Sequence, residues 1–190
     1  FDRDRTGLVL GEGAALFALE NLASAEARGA EILAEITGYG IATDNHHLTQ
    51  PNPSGIGPRL AMERALTSAG CAPNEVDYVN AHGTATPFND AAEGRAIAEL
   101  LGRGAAVSST KGMMGHSLGA AGAIEAAITL LALRDGFLPA NLNFRAPDDG
   151  IDIDIVANIP RMAANARVAL SNSFGFGGTN ATIALEKLAA

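Results

Sequence analysis

From Leu118 to Leu133 the chain reads as one long alanine-rich helix with almost no polar face. A helix that is apolar all round is stable only when other structure covers it. The neighbouring segments supply that cover. Val76 to Asn80 and Ala105 to Ser108 read as short strands, and Arg59 to Ala69, stopped by Gly70, and Asp90 to Leu101 as helices. Ile151, Ile153 and Ile155 alternate with Asp152 and Asp154, and Val168 to Leu170 and Thr182 to Leu185 form two closing strands around a glycine-rich turn. This alternation of helix and strand predicts an α/β sandwich. Its sheet is mixed or parallel, with helices on both faces and loops at the strand ends open to chemistry.

Upstream, Leu8 to Leu10 and Ala14 to Leu19 read as a strand pair, with Gly11-Glu12-Gly13 as a bulge, a turn or a close backbone approach. Leu22 to Arg28 is a short helical stretch ended by Gly29. Ile32 to Tyr39 is a further strand, bounded by Gly38 and Gly40, and a polar loop follows through Pro51, Pro53 and Gly55.

A length of 190 residues with 47% hydrophobic content is enough for one sizeable core. The formal net charge of -8 disfavours an extended contact with nucleic acid, which needs clustered Lys and Arg. The one cysteine, Cys71, has no internal disulfide partner, as expected in a reducing cytoplasm. No apolar run approaches the roughly 18 residues of a membrane span, and Phe1-Asp2-Arg3-Asp4-Arg5 lacks a signal peptide's apolar core. A soluble protein is the expectation. Because the first residue is Phe and not Met, a preceding segment is expected as well.

Three segments set polar or titratable groups among glycines at strand-to-loop transitions: Asn80 to Pro87, Ser109 to His116, and Ser171 to Asn180. Glycines there permit positive φ or close ligand approach, which purely structural loops seldom need so often. A lone histidine in such a loop is more often an ordinary satisfied residue. His82 and His116 together with Lys111 reverse that balance. Zinc chemistry lacks its ligand spacing, since no Cys-x2-Cys or His-x3-His pair is present. His46 and His47 lie in a polar loop and read as surface residues. Glu125 falls inside the apolar helix, where a carboxylate is costly without a partner.

In this order and separation, the segments resemble the His-Gly-Thr, Lys-x4-His and Gly-Phe-Gly-Gly-Thr-Asn motifs of the β-ketoacyl-[acyl carrier protein] synthases, most closely the synthase II type. Arg5-Thr6-Gly7-Leu8-Val9-Leu10-Gly11-Glu12-Gly13-Ala14 also resembles that family, so the similarity covers essentially the whole chain. The resemblance implies a thiolase-like α-β-α-β-α sandwich of two similar halves. Residues 1–30 would be closing strands and connector of the N-terminal half, and residues 31–190 the C-terminal half. It implies a decarboxylative Claisen condensation of an acyl thioester with malonyl-[acyl carrier protein], in fatty acid or polyketide synthesis. The cysteine nucleophile would lie in the upstream half. Cys71, at a helix end without the flanking pattern of an acyl-accepting cysteine, reads as structural.

Losing carbon dioxide from a malonyl thioester puts negative charge on the thioester oxygen, and fixed hydrogen-bond donors must meet it there. By resemblance His82 and His116 flank that oxygen, and Lys111 orients or tunes the pair. Thr84 and Thr86 match threonines that hold the phosphopantetheine arm, with turn stabilisation as the plainer alternative. Phe176 would contribute its backbone N–H to an oxyanion hole and its ring to a gate. Phe174 would line the same pocket or simply fill the core. Glu125 would join Asn80, Ser171 and Asn172 around a structural monovalent or divalent cation or water, although an ion pair with Lys111 would serve equally well. No dissociable organic cofactor is implied. The implied partners are an acyl carrier protein, the upstream half, and a second subunit in a homodimer or heterodimer.

Two rivals remain at this point. Gly115-His116-Ser117-Leu118-Gly119 satisfies the Gly-x-Ser-x-Gly pattern of a serine thioesterase, but no histidine follows to complete a Ser, acid, His order. A non-catalytic partner subunit resembling a chain-length factor would fit the missing cysteine. It would not need both histidines and the lysine.

Overall fold

A computed structural model describes residues 1–188. The elements in chain order are α1 (Leu22–Ala27), β1 (Glu35–Thr43), α2 (Ile56–Ala69), β2 (Tyr78–Asn80), α3 (Pro87–Leu101), β3 (Ala106–Ser108), α4 (Lys111–Met114), α5 (Ala121–Asp135), β4 (Phe137–Leu138), β5 (Asp154–Ile155), β6 (Arg161–Met162), β7 (Val168–Gly175) and β8 (Thr179–Glu186). Six strands form one mixed sheet in the order β1-β8-β7-β2-β3-β5, and β4 and β6 make a small antiparallel pair. β1, β8 and β7 run antiparallel, whereas β7, β2, β3 and β5 are parallel.

The two sheet faces carry separate cores, as the period of two along each strand requires. Val79, Val107 and Leu170 pack with Met62 and Leu66 of α2 and Ile97 of α3. Their neighbours Tyr78, Ala106 and Ala169 turn the other way, onto Leu133 of α5, Leu138 and Val156. Full burial of each such large aliphatic side chain contributes about 1.5–3 kcal/mol. The predicted sandwich is therefore present, with helices on both faces of the sheet.

Gly38 and Gly40 do not bound β1 but lie within it. A Cβ on Gly38 would sit 2.3 Å from the Ala65 carbonyl oxygen, and one on Gly40 2.0 Å from that of Ala61. Glycine at both positions lets α2 lie directly on the strand, so the residues that look like breakers are where helix and strand touch.

The expected strand pair at Leu8 to Leu10 and Ala14 to Leu19 is not formed. The structure has one isolated bridge there, between Leu10 and His116. Residues 11–21 hold no strand or helix, and Leu16 and Leu19 are 99% and 74% exposed. A strand requires a neighbour to take its backbone hydrogen bonds, and the described residues offer this segment none beyond the Leu10 bridge. α5 is likewise covered on one side only. Ile124, Glu125, Thr129 and Leu133 are buried, whereas Leu131 borders an apolar trough of about 1040 Å³ shared with Leu16, Phe17, Leu19 and Ile36.

Candidate active site

β2 and β3 are adjacent and parallel, and their C-terminal ends deliver two loops to the same edge of the sheet, where open α/β sheets bind ligands. The Ser109 side chain locks the loops together against the Gly83 backbone. Ser109 Oγ donates to the Gly83 carbonyl at 2.9 Å, and a Cβ on Gly83, whose φ is +39°, would lie 2.5 Å from Ser109 Cβ. Glu93 of α3 fixes the first loop from below. Its Oε1 accepts from the His82 N–H at 2.8 Å and Asn172 Nδ2 at 3.0 Å, and its Oε2 from the Gly83 N–H at 2.8 Å and Asn89 Nδ2 at 3.1 Å. Asp90 Oδ1 adds a bond from the Ala85 N–H at 3.0 Å.

The three motif segments converge. The His82 and His116 rings stand edge to face, with centroids 5.3 Å apart and planes at 83°. Phe174 packs on His82 at 5.5 Å. His116 Nδ1 accepts the Leu118 N–H at 3.2 Å, and Lys111 Nζ lies 3.5 Å from His82 Nδ1. An amide N–H and an ammonium only donate, so each Nδ1 is an acceptor and each Nε2 carries the proton. Burial and the Lys111 charge hold His82 well below the ordinary histidine range, and the same causes lower His116. At neutral pH the site presents two uncharged imidazoles, each with an Nε2–H to offer.

Lys111 pairs with Glu125 Oε1 in the interior, the partner that a carboxylate in an apolar helix requires. Burial still pushes the Glu125 carboxyl up to about 7, against the pull of Lys111. A folded pKa above the ordinary 4.5 means that the folded chain keeps a proton that the unfolded chain has lost in that window. Stability therefore falls as pH rises from about 4.5 to 7, by about 3 kcal/mol from this group. A Lys111→Met/Glu125→Gln variant has no such charge pair, so its melting temperature is expected to gain on the parent's across that window. A difference constant with pH would contradict the assignment.

Glu125 Oε2 and Asn80 Oδ1 are buried without a hydrogen-bond partner. Asn80 Nδ2 donates to the Glu125 carbonyl at 3.1 Å, so both unsatisfied oxygens belong to one neighbourhood, and they suit a hard cation or water. Ser171 is in register with Asn80 and shares its face of the sheet. The Asn172 side chain does not: it bonds Glu93 and accepts from Thr182 Oγ1 at 2.8 Å on the opposite face, leaving only its backbone for such a site. Among the described residues no group of three or more His, Cys, Asp or Glu is placed to hold a metal.

Other residues singled out in the sequence are more dispersed. Thr84 and Thr86 bond each other at 2.9 Å, and Thr86 also caps α3 by accepting the Asn89 N–H. Phe176 is 80% exposed on the β7–β8 turn. That turn is held by a Gly177 N–H to Leu48 carbonyl bond of 2.7 Å. His46 and His47 are exposed, as expected of surface residues. Burial and the nearby Glu75 raise the Cys71 thiol, which leaves it a poor nucleophile. Ser117 follows the helical turn α4 and Gly115, not a strand, so the strand-to-helix elbow of a serine hydrolase is absent there.

Glu93 is the principal site residue that sequence reasoning missed. Its signal was its place with Asn89, Ala92, Ala96 and Ile97 on the buried stripe of α3, where a carboxylate needs compensating donors.

Residues 33–145 match the family model described as "Beta-ketoacyl synthase, C-terminal domain". The chain belongs to the β-ketoacyl synthase family. It is 49% identical over 99% of its length to the 3-oxoacyl-[acyl-carrier-protein] synthase 2 of Coxiella burnetii, and 44% identical over 99% to that of Vibrio cholerae. It spans about half the length of these curated relatives, 46% in each case. Among solved structures, the ishigamide ketosynthase/chain length factor superposes with a TM-score of 0.94 at 40% identity, covering 99% of this chain and 46% of that one. The fold matches the C-terminal half of the thiolase-like ketosynthases.

Proposed function

We propose that this chain supplies the histidine-histidine-lysine part of a decarboxylative condensing site, with malonyl-[acyl carrier protein] as the extender substrate. The observation that carries the reading is the pair of neutral imidazoles at 5.3 Å, each with Nδ1 occupied by a donor. Two Nε2–H groups then converge on one acceptor. In the reaction the bond between the malonyl α-carbon and its carboxylate breaks, and carbon dioxide leaves. The electron pair passes into the thioester enolate, whose oxygen the two imidazoles meet. The enolate carbon attacks an acyl thioester on a cysteine of the upstream half. A carbon–carbon bond forms, and the thiolate departs.

Lys111 holds His82 neutral and oriented, Thr84 and Thr86 receive the phosphopantetheine arm, and Phe174 and Phe176 border the acyl channel. Asn80, Glu125, Ser171 and the Asn172 backbone hold a structural cation or water, supported by the two unsatisfied oxygens. Residues 1–30 become closing strands and connector once the upstream half pairs with them, and residues 31–190 form the second half. The exposed Leu16 and Leu19 and the uncovered side of α5 are what such a seam would leave. The complete enzyme works as a dimer in the cytoplasm with an acyl carrier protein. Among the described residues no helix is long and apolar enough to cross a membrane.

The 190-residue chain alone is expected to show no condensation. Co-expression with the upstream half of a related synthase should restore it, read as β-ketoacyl product from acyl and malonyl carrier proteins. Condensation by the chain alone would refute the reading. A properly assembled pair that binds carrier protein yet stays inert would favour the chain-length-factor-like role.

A further inference from the structure

His116 does not hold its own position. Its loop enters through Gly115 at φ +75° and leaves through Leu118 at φ +50°, so the backbone bends on both sides of the imidazole. The N-terminal segment, outside the three glycine-rich loops, carries the residue between these bends. The His116 N–H donates to the Val9 carbonyl at 2.7 Å, and the Gly11 N–H donates to the His116 carbonyl at 3.0 Å. Leu10 thereby bridges His116 as a parallel rung. The contact is backbone on backbone: a Cβ on Gly11 would lie 2.1 Å from the Met114 carbonyl oxygen and 3.1 Å from Gly115 Cα, and one on Gly115 2.9 Å from Gly11 Cα.

We infer that Gly11 is a positioning residue for the condensation: Val9 to Gly11 form a splint that sets where His116 Nε2–H points, and only glycine permits its approach. This rests on the condensing role proposed for the two imidazoles. Any side chain on Gly11 must push Met114 to His116 outward by more than about 1 Å to reach ordinary contact. Oxyanion donors act within a few tenths of an ångström of their acceptor, and a displacement of about 1 Å costs about 100-fold in rate. Acyl transfer to the upstream cysteine does not use His116 in this scheme. The damage should therefore fall on one half-reaction.

The test uses the full-length synthase carrying Gly11→Ala, with malonyl decarboxylation and acyl transfer measured separately. Decarboxylation is expected to fall by about 10- to 100-fold in kcat with little change in KM, and acyl transfer to stay within about threefold. Adding Gly11→Ala to His116→Ala should cause no further loss, because Gly11 acts through that imidazole. Gly13→Ala serves as the comparison: its Cβ would meet only the movable Cδ1 end of Ile124, at 2.8 Å, and both half-reactions should survive.

Unchanged decarboxylation in Gly11→Ala would overturn the inference. So would equal loss of both half-reactions, including through failure to fold, or a further loss in the His116→Ala background. A silent His116→Ala would instead sink the condensing reading itself.

Discussion

Alanine at His82 or at His116 in the complete synthase is expected to slow malonyl decarboxylation by about 100- to 1,000-fold, the usual loss for a preorganised oxyanion donor. In the proposed site both Nε2–H groups address one oxygen, and their rings stand 5.3 Å apart, so the double variant should lose less than the product of the single losses. Ser117→Ala, one residue from His116, should retain nearly full turnover because no developing charge meets its hydroxyl. Carbon dioxide release from malonyl-[acyl carrier protein] is the readout. If both histidine variants work at rates close to the parent's, neither imidazole takes part in the chemistry.

Substitution at Glu93 is expected to produce the largest loss of stability. Its two oxygens face four donors: two backbone N–H groups and the amide nitrogens of Asn89 and Asn172. Only an acceptor on both oxygens satisfies them. Glu93→Gln would turn an NH2 toward two N–H donors, and it should therefore be almost as damaging as Glu93→Ala. Leaving such donors buried and unmet costs about 1–3 kcal/mol each. A total of at least about 3 kcal/mol corresponds to a fall of roughly 10 °C in melting temperature for a domain of this size. The same loop carries His82, so decarboxylation should suffer more than acyl transfer. A Gln variant that melts with the parent would show that the carboxylate is not the anchor of this loop.

The sandwich was legible in the sequence because its signals are local. Hydrophobic alternation, an all-apolar helix and stop glycines such as Gly70 act over a few residues, and β2, β3, β7, β8 and α5 lie where those signals put them, within a few residues. The failure at Leu8 to Leu19 has the opposite origin. A strand pattern states a preference, but a strand exists only against a partner, and that segment finds just the Leu10 bridge. Gly38 and Gly40 misled for a related reason. In one dimension a glycine looks like a boundary, and only the packing of α2 reveals it as a contact.

The site divides in the same way. His82, Lys111 and His116 were legible through the motifs that the chain shares with the family, and the need of Glu125 for a partner through its place in an apolar helix. Three things came only from the tertiary structure: which Nδ1 is occupied, which side of the sheet the Asn172 amide faces, and that Glu93 holds the His82 loop across eleven residues. Those depend on angles and distances set by the folded backbone, whether the partners lie two residues apart, as His116 and Leu118 do, or in separate elements, as Glu93 and Asn172 do. Sequence carries the identity of each group, and the folded backbone alone decides which groups meet.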